Sequence, residues 1–140
     1  MKQAFVRGHL DTVERCARRC RETAERDISH FPDEHDRMDV MALDLIRLCE
    51  SMIDLAKHMA KTENLGLIEG ARDAFQLVAA PLGITKAEAN QMADMVGFRN
   101  LAVHNYAAIE ESVIEFAIAN RLGLPIRIAR AIGTRAGLRP

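Results

Sequence analysis

Tryptophan is missing from this chain of 140 residues, tyrosine occurs once, and aromatic residues make up only 4%. Strands draw on aromatic and β-branched side chains, so this shortage, beside abundant Leu, Ala, Ile and Met, points to packed helices. Cysteine occurs three times, as Cys16, Cys20 and Cys49. An odd number, without the paired spacing and matching His of a zinc site, implies reduced, packed thiols of the kind found in the cytosol. No apolar run approaches the length of a membrane span, and the N-terminal MKQAFVRGHLD lacks the uninterrupted apolar stretch of a secretory signal. The expectation is a soluble, cytoplasmic protein with no membrane attachment. Also missing are a Gly-rich phosphate loop, a Ser-nucleophile motif and paired catalytic carboxylates, which leaves kinase, NTPase and hydrolase readings without support.

The length fits a single domain able to bury a core without disulfides or metals. Apolar residues recur every three or four positions through Val6, Leu10, Val13, Ala17, Cys20, Ala24, Ile28 and Phe31, predicting one long amphipathic helix. It should stop near HFPDEHD, where Asp33, Glu34 and Asp36 can cap and favourably charge the start of the next helix. That second helix, over residues 36–63, carries a main stripe of Met38, Met41, Leu45, Leu48, Met52, Leu55 and Met59, with the methionines as core filler. A second stripe, Val40, Leu43, Ile46 and Ile53, needs cover as well, and in so small a domain this implies a partner subunit.

A shorter helix is expected over residues 67–80, ended by Pro81 and Gly83. Thr85 and Glu88 form a capping box that opens a fourth helix running toward Phe98. A fifth, over residues 107–121, carries Ile109, Val113, Phe116, Ile118 and Leu122. LPIRIARAI reads as a helical or an extended tail. The fold class is therefore all-α, an antiparallel bundle of about five helices, with a helical domain over 1–122 and an arginine-rich tail over 123–140. After Phe116 there are five arginines and no acid, so all 20 acidic residues lie in the body of the chain. Such a tail can grip a polyanion or dock on the acidic body of a neighbour.

Chemistry concentrates in GFRNLAVHNYAAIEES, residues 97–112. Histidine gives and takes protons near neutral pH, and arginine presents a planar fork of donors to phosphate oxygens. Together, without a metal, they meet the two needs of RNA cleavage by its own 2'-hydroxyl: proton transfer, and stabilisation of a dianionic phosphorus. The product would carry a 2',3'-cyclic phosphate. Residues five apart on an unbroken helix point about 140° away from each other. Arg99 and His104 can cooperate only if the backbone turns between them or two subunits bring them together. Gly97, Asn100 and Asn105 permit a turn, and Leu101 and Val103 are expected to anchor the segment to the core. Read on their own, Arg99 in a surface ion pair and His104 and Tyr106 satisfied at a helix end fit as well.

Two further groups invite attention. His30, Asp33, Glu34, His35 and Asp36 cluster as metal ligands do, yet acids and turn formers are expected at a helix start anyway, and no metal is assigned. Glu50 interrupts the second apolar stripe and could line an interface near the site.

RNLAVHNY does not stand alone. DVMALDLIRLCESMIDLAKHM, LGLIEGARDAFQLVAAPLGI and MVGFRNLAVHNYAAIE follow one another in an order and spacing that resemble the HEPN superfamily, and within it the HepT-like toxins, over residues 16–120. The resemblance implies an all-helical, homodimeric, metal-independent endoribonuclease that needs no cofactor. The family motif, Arg, four residues, His, one residue, Tyr, falls on Arg99, His104 and Tyr106, with Asn100 at the polar supporting position. It implies catalysis by Arg99 and His104, two copies of the motif facing each other across the dimer, and RNA (tRNA or mRNA) as substrate. It further implies a partner, an MNT-type nucleotidyltransferase antitoxin of a type VII-like toxin-antitoxin pair, which attaches AMP to Tyr106, in the dimer or in a higher assembly. The added phosphate would repel RNA from Arg99 and His104. A tyrosine that only orients His104 is the plainer alternative. The rival of another class is a noncatalytic HEPN helical module that binds nucleotides or a partner protein.

Overall fold

The computed structural model of the protein describes residues 1–26, 29, 31 and 33–139. Among them the chain forms six α-helices and no strand: α1 (Gln3–Glu25), α2 (Glu34–Thr62), α3 (Ala71–Leu82), α4 (Lys86–His104), α5 (Glu111–Asn120) and α6 (Gly123–Arg135), with a 3-10 turn, Tyr106–Ala108, between α4 and α5. The all-α reading holds, with one helix more than expected. None of the helices is long and apolar enough to cross a membrane.

The side-chain pairings give the helix directions. His9 lies 3.2 Å from Ser51 Oγ, and Cys20 Sγ donates to the carbonyl of Met41 at 3.8 Å. Partner numbers fall as those of α1 rise, so α1 and α2 are antiparallel. Glu14 accepts from Arg130 Nε at 2.7 Å while the amide of Gln3 donates to the carbonyl of Ala136 at 3.0 Å, which makes α6 antiparallel to α1. Gln76 and Asn90, 3.3 Å apart, join α3 to α4.

The start of α2 is fixed from both sides. Asp33 caps it by accepting the N–H of Asp36 at 2.8 Å, as the sequence suggests. Arg37 reaches back to the end of α1, donating from Nε to the carbonyl of Thr23 at 3.1 Å and from Nη2 to that of Ala24 at 2.5 Å. The last-turn carbonyl of Ala24 thereby gains a donor, and that of Thr23 a second one beside the N–H of Arg26. The predicted main stripe of α2 is buried throughout. Leu55 is fully buried at its centre. Leu55→Ala is therefore expected to cost about 2–5 kcal/mol, lost transfer energy plus a cavity, read as a lower urea midpoint with the denaturant slope unchanged. The second stripe is only partly covered: Ile53 is buried, Val40 and Ile46 are half-buried, and Leu43 is 48% exposed.

Several boundaries differ from the sequence expectation. α1 ends at Glu25, six residues before Phe31; Ile28, His30 and Pro32 lie outside the described residues. α3 begins four residues later than expected and includes Pro81 in its last turn, because Leu82 and Ile84 pack on the core and the left-handed Gly83 (φ 68°) makes the stop. The Thr85 and Glu88 capping box is present in both directions, at 3.1 and 3.0 Å. α4 continues beyond Phe98 to His104. On α5 the buried positions are Ile114 and Ile118, while Val113 and Phe116 face solvent.

Residues 123–139 pack with the body of the chain. α6 buries Ile128, Ala129 and Ile132 in the common core, so the expected boundary between 122 and 123 falls inside one folded unit. Its arginines are engaged by the chain's own acids, Arg127 with Glu88, Arg130 with Glu14 and Arg135 with Glu63. These exposed pairs add little to stability, and the buried apolar face does the docking.

Candidate functional site at the end of helix α4

The segment Gly97–His104 is the last two turns of α4, and the helix is not interrupted there. Of the two ways the sequence left open for Arg99 and His104 to cooperate, a backbone turn between them is absent. Gly97 and Asn100 are tolerated because packing outweighs their weak helix preference: Met92, Val96 and Ala102 are buried against the core and hold the helix on either side. The chain leaves the helix only at Asn105 (φ −152°, ψ 67°), whose N–H still donates to the carbonyl of Leu101 at 2.7 Å.

This placement inverts the usual polarity of a helix. Arg99 follows Met92 and Val96 at seven and three residues, on the face turned to the core, and is half-buried. Leu101 and Val103, expected as anchors, are 43% and 53% exposed instead. Position on the helix, not residue type, decides: Leu101 lies roughly opposite Met92 at about 100° per residue, and Val103 lies beyond the reach of the core at the last turn. With Leu43, Val113 and Phe116 they leave large apolar side chains in water near the motif.

The Nε of Arg99 is sealed from solvent and finds no acceptor among the described residues, and no carboxylate pairs with the guanidinium. Cys49 of α2 is its neighbour. Burial pushes that thiol up to about 12, with Arg99 the strongest opposing influence, so Cys49 stays neutral and offers no countercharge. Glu50, next in sequence, is exposed. The result is a half-buried cation with an unused donor, which suits an anion.

His104, the last residue of α4, is exposed. Within one protomer the structure does not bring it onto the face of Arg99; the two point about 140° apart. Asn100 is half-buried and shares the His104 side of the helix, within about 40° by the same count. A residue missed from sequence joins them there. A Cβ built on Gly97 would stand 3.1 Å from Nη2 of Arg72, so this exposed arginine of α3 lies along the Gly97, Asn100 and His104 side of α4. Arg72 has no hydrogen-bond or ion-pair partner among the described residues. The only hint in the sequence is the glycine itself, which leaves room for the guanidinium.

Tyr106 opens the 3-10 turn and is 39% exposed. Its hydroxyl does not go to His104; it donates to Oδ1 of Asp39 on α2 at 2.5 Å. Burial first, then the hydrogen bond and charge of Asp39, push the phenol up to about 12. One turn away His35 Nδ1 lies 3.8 Å from Glu111. Three of the five residues considered as metal ligands have structural partners: Asp33 caps α2, Glu34 pairs with Arg37, and His35 faces Glu111; His30 lies outside the described residues. Among the described residues no group of three or more His, Cys, Asp or Glu is placed to hold a metal ion.

An all-helical domain with an Arg, His and Tyr segment closing its fourth helix is a HEPN-type architecture. The profile of the family described as Ribonuclease HepT-like matches residues 13–132. The mRNA nuclease HepT of Shewanella oneidensis is 32% identical over 118 residues, covering 84% of this chain and 88% of that protein. Among solved structures, a toxin-antitoxin complex with AMP-PNP contains a chain 27% identical, with a TM-score of 0.82 over 94% of this chain and 98% of that one. A tri-AMPylated Shewanella oneidensis HEPN toxin in complex with MNT antitoxin is 28% identical, with a TM-score of 0.81 over 93% of this chain and 97% of that one. The chain belongs to the HepT-like ribonuclease family.

Proposed function

We propose that this protein is the ribonuclease toxin of a HEPN/MNT toxin-antitoxin pair, a metal-independent endoribonuclease that works as a homodimer. The observation that carries the reading is Arg99: a half-buried guanidinium with no countercharge and an orphaned Nε, five residues before an exposed histidine. A half-buried guanidinium without a countercharge is costly, and a phosphodiester oxygen at its remaining donors supplies that charge.

The 140° between Arg99 and His104 on one straight helix calls for a second copy. Two α4 ends set against each other form one cleft to which each protomer brings an arginine and a histidine. The exposed Leu43, Leu101, Val103, Val113 and Phe116 support that pairing, since such a surface is more stable covered. In the cleft Arg99 neutralises the phosphorus as it becomes dianionic. His104 moves the proton between the 2'-hydroxyl and the departing 5'-oxygen, leaving a 2',3'-cyclic phosphate and a 5'-hydroxyl. Asn100 supports the bound phosphate. Arg72, on the His104 side of α4, contacts the next phosphate along the strand and adds affinity without reading bases.

Tyr106 is the point of control. An MNT-type nucleotidyltransferase transfers AMP to its hydroxyl, two residues from His104, and the added phosphate repels RNA from the cleft. The tri-AMPylated relative bound to its MNT antitoxin supports this reading. The purified protein is expected to cut RNA in excess EDTA. After incubation with its MNT-type partner and ATP it should gain one or more AMP masses on Tyr106 and lose that activity. RNA left intact by unmodified, dimeric protein would sink the nuclease reading. It would favour a noncatalytic module that holds nucleotides or a partner in the same cleft.

A further inference from the structure

Tyr106 and Asp39 are 67 positions apart in the chain, yet the phenolic hydroxyl donates directly to Asp39 Oδ1. Both ends of the contact are held. Asp39 stands in the second turn of α2, just beyond the Asp33 cap and the Arg37 clamp on the end of α1. Tyr106 is fixed in a 3-10 turn between two helices, where the N–H of Ile109 donates to its carbonyl at 3.0 Å. Of the titratable groups beside them, His35 and Glu111 face each other, Asp36 lies one turn before Asp39 on α2, and His104 is exposed. No arginine or lysine pairs with Asp39 among the described residues, so its carboxylate is free to act on the phenol.

We propose that Asp39 is the base that takes the proton from Tyr106 while an adenylyl group is transferred to that residue. The inference rests on Tyr106 being the modified side chain. The phenolic oxygen attacks the α-phosphorus of ATP. An O–P bond forms, the bond from that phosphorus to the bridging oxygen breaks, and pyrophosphate leaves with the electron pair. The proton passes from the phenol to Asp39 and on to solvent, with no change in oxidation state.

Burial of the phenol, and then the contact with Asp39, explain why a base is needed. With its ionisation held near 12, almost none of Tyr106 is phenolate at neutral pH. As the O–P bond forms, the phenolic oxygen turns acidic, and an acceptor already hydrogen-bonded to it takes the proton without rearrangement. Protein kinases use a carboxylate toward a hydroxyl in this way. Asp39 also keeps the nucleophile aimed before the nucleotide arrives.

The test is AMP transfer to the full-length protein by its MNT-type partner and ATP, followed by mass spectrometry. Asp39→Asn keeps size and loses the base. Because the variant phenol also ionises more readily, the net loss at neutral pH is smaller than the whole of a general-base effect, and about tenfold or more is expected. The ratio of variant to wild-type rate should climb with pH, since free phenolate replaces the missing acceptor, and Asp39→Glu should recover part of the rate. A separate readout needs no partner. The chain has one tyrosine and no tryptophan, so phenolate absorbance reports Tyr106 alone. Asp39→Asn should move its midpoint from about 12 toward the ordinary tyrosine value. Wild-type protein that accepts no AMP would remove the modification reading on which the inference stands. AMP transfer to wild type and Asp39→Asn at equal rates would overturn the inference and leave that reading intact. A slower variant whose ratio to wild type does not change with pH would also overturn it, since that marks a purely structural role.

Discussion

His104→Ala is expected to lower RNA cleavage by about a thousandfold or more, because it removes the proposed proton donor and acceptor, and such groups supply about 10²–10⁴ in rate. The fold should not suffer. His104 is exposed at the last position of α4 and has no hydrogen-bond or ion-pair partner among the described residues, so circular dichroism and the urea midpoint should match the wild type. The measurement is single-turnover cleavage of a labelled RNA in EDTA, alongside sedimentation to confirm that the assembly is unchanged. Cleavage retained within about tenfold of wild type would place the proton transfer elsewhere.

Arg99→Met should separate function from stability in the opposite sense. The guanidinium holds a sealed, unpaired Nε–H beside the neutral Cys49. Leaving a buried donor unmade costs about 1–3 kcal/mol, so an unbranched apolar side chain of similar length should raise the unfolding free energy by about 1 kcal/mol. The same change removes the cation proposed to face the phosphorus, and cleavage should fall by about a hundredfold or more. A gain in stability with a loss of activity identifies a group kept for its task and not for the fold. Loss of both would mean that Arg99 holds the protein together, and the phosphate role would need another residue.

Much of the architecture was legible in the sequence. The main stripe of α2, the Asp33 cap and the Thr85 and Glu88 box each rest on local spacing, which the chain carries within a few residues. α6 carried the same kind of signal, with Pro125, Ile128, Ala129 and Ile132 at helical spacing, but five arginines drew the reading toward a loose tail. The acids that neutralise three of them sit at the middle of α1, at the end of α2 and at the start of α4, far away in sequence. The site was legible as residue types and not as geometry. Gly97 and Asn100 read as breakers, yet a helix packed through Val96 and Ala102 continues past them. Asp39 and Arg72 could not be found, because each meets the motif only through the fold, and neither stands at a spacing that marks it.

The continuity of α4 through the motif makes the segment a ruler. Arg99 and His104 ride on one rigid rod about 7.5 Å apart along its axis, and no hinge lies between them. No local flexing can tune their separation. Any agent that adjusts the output of this cleft must therefore slide or rotate whole rods against one another, and a one-residue insertion between the two would swing the imidazole by about 100°. In the proposed dimer, control from outside the motif is coarse by construction, and a chemical mark at its edge, as proposed for Tyr106, would be the economical way to silence it.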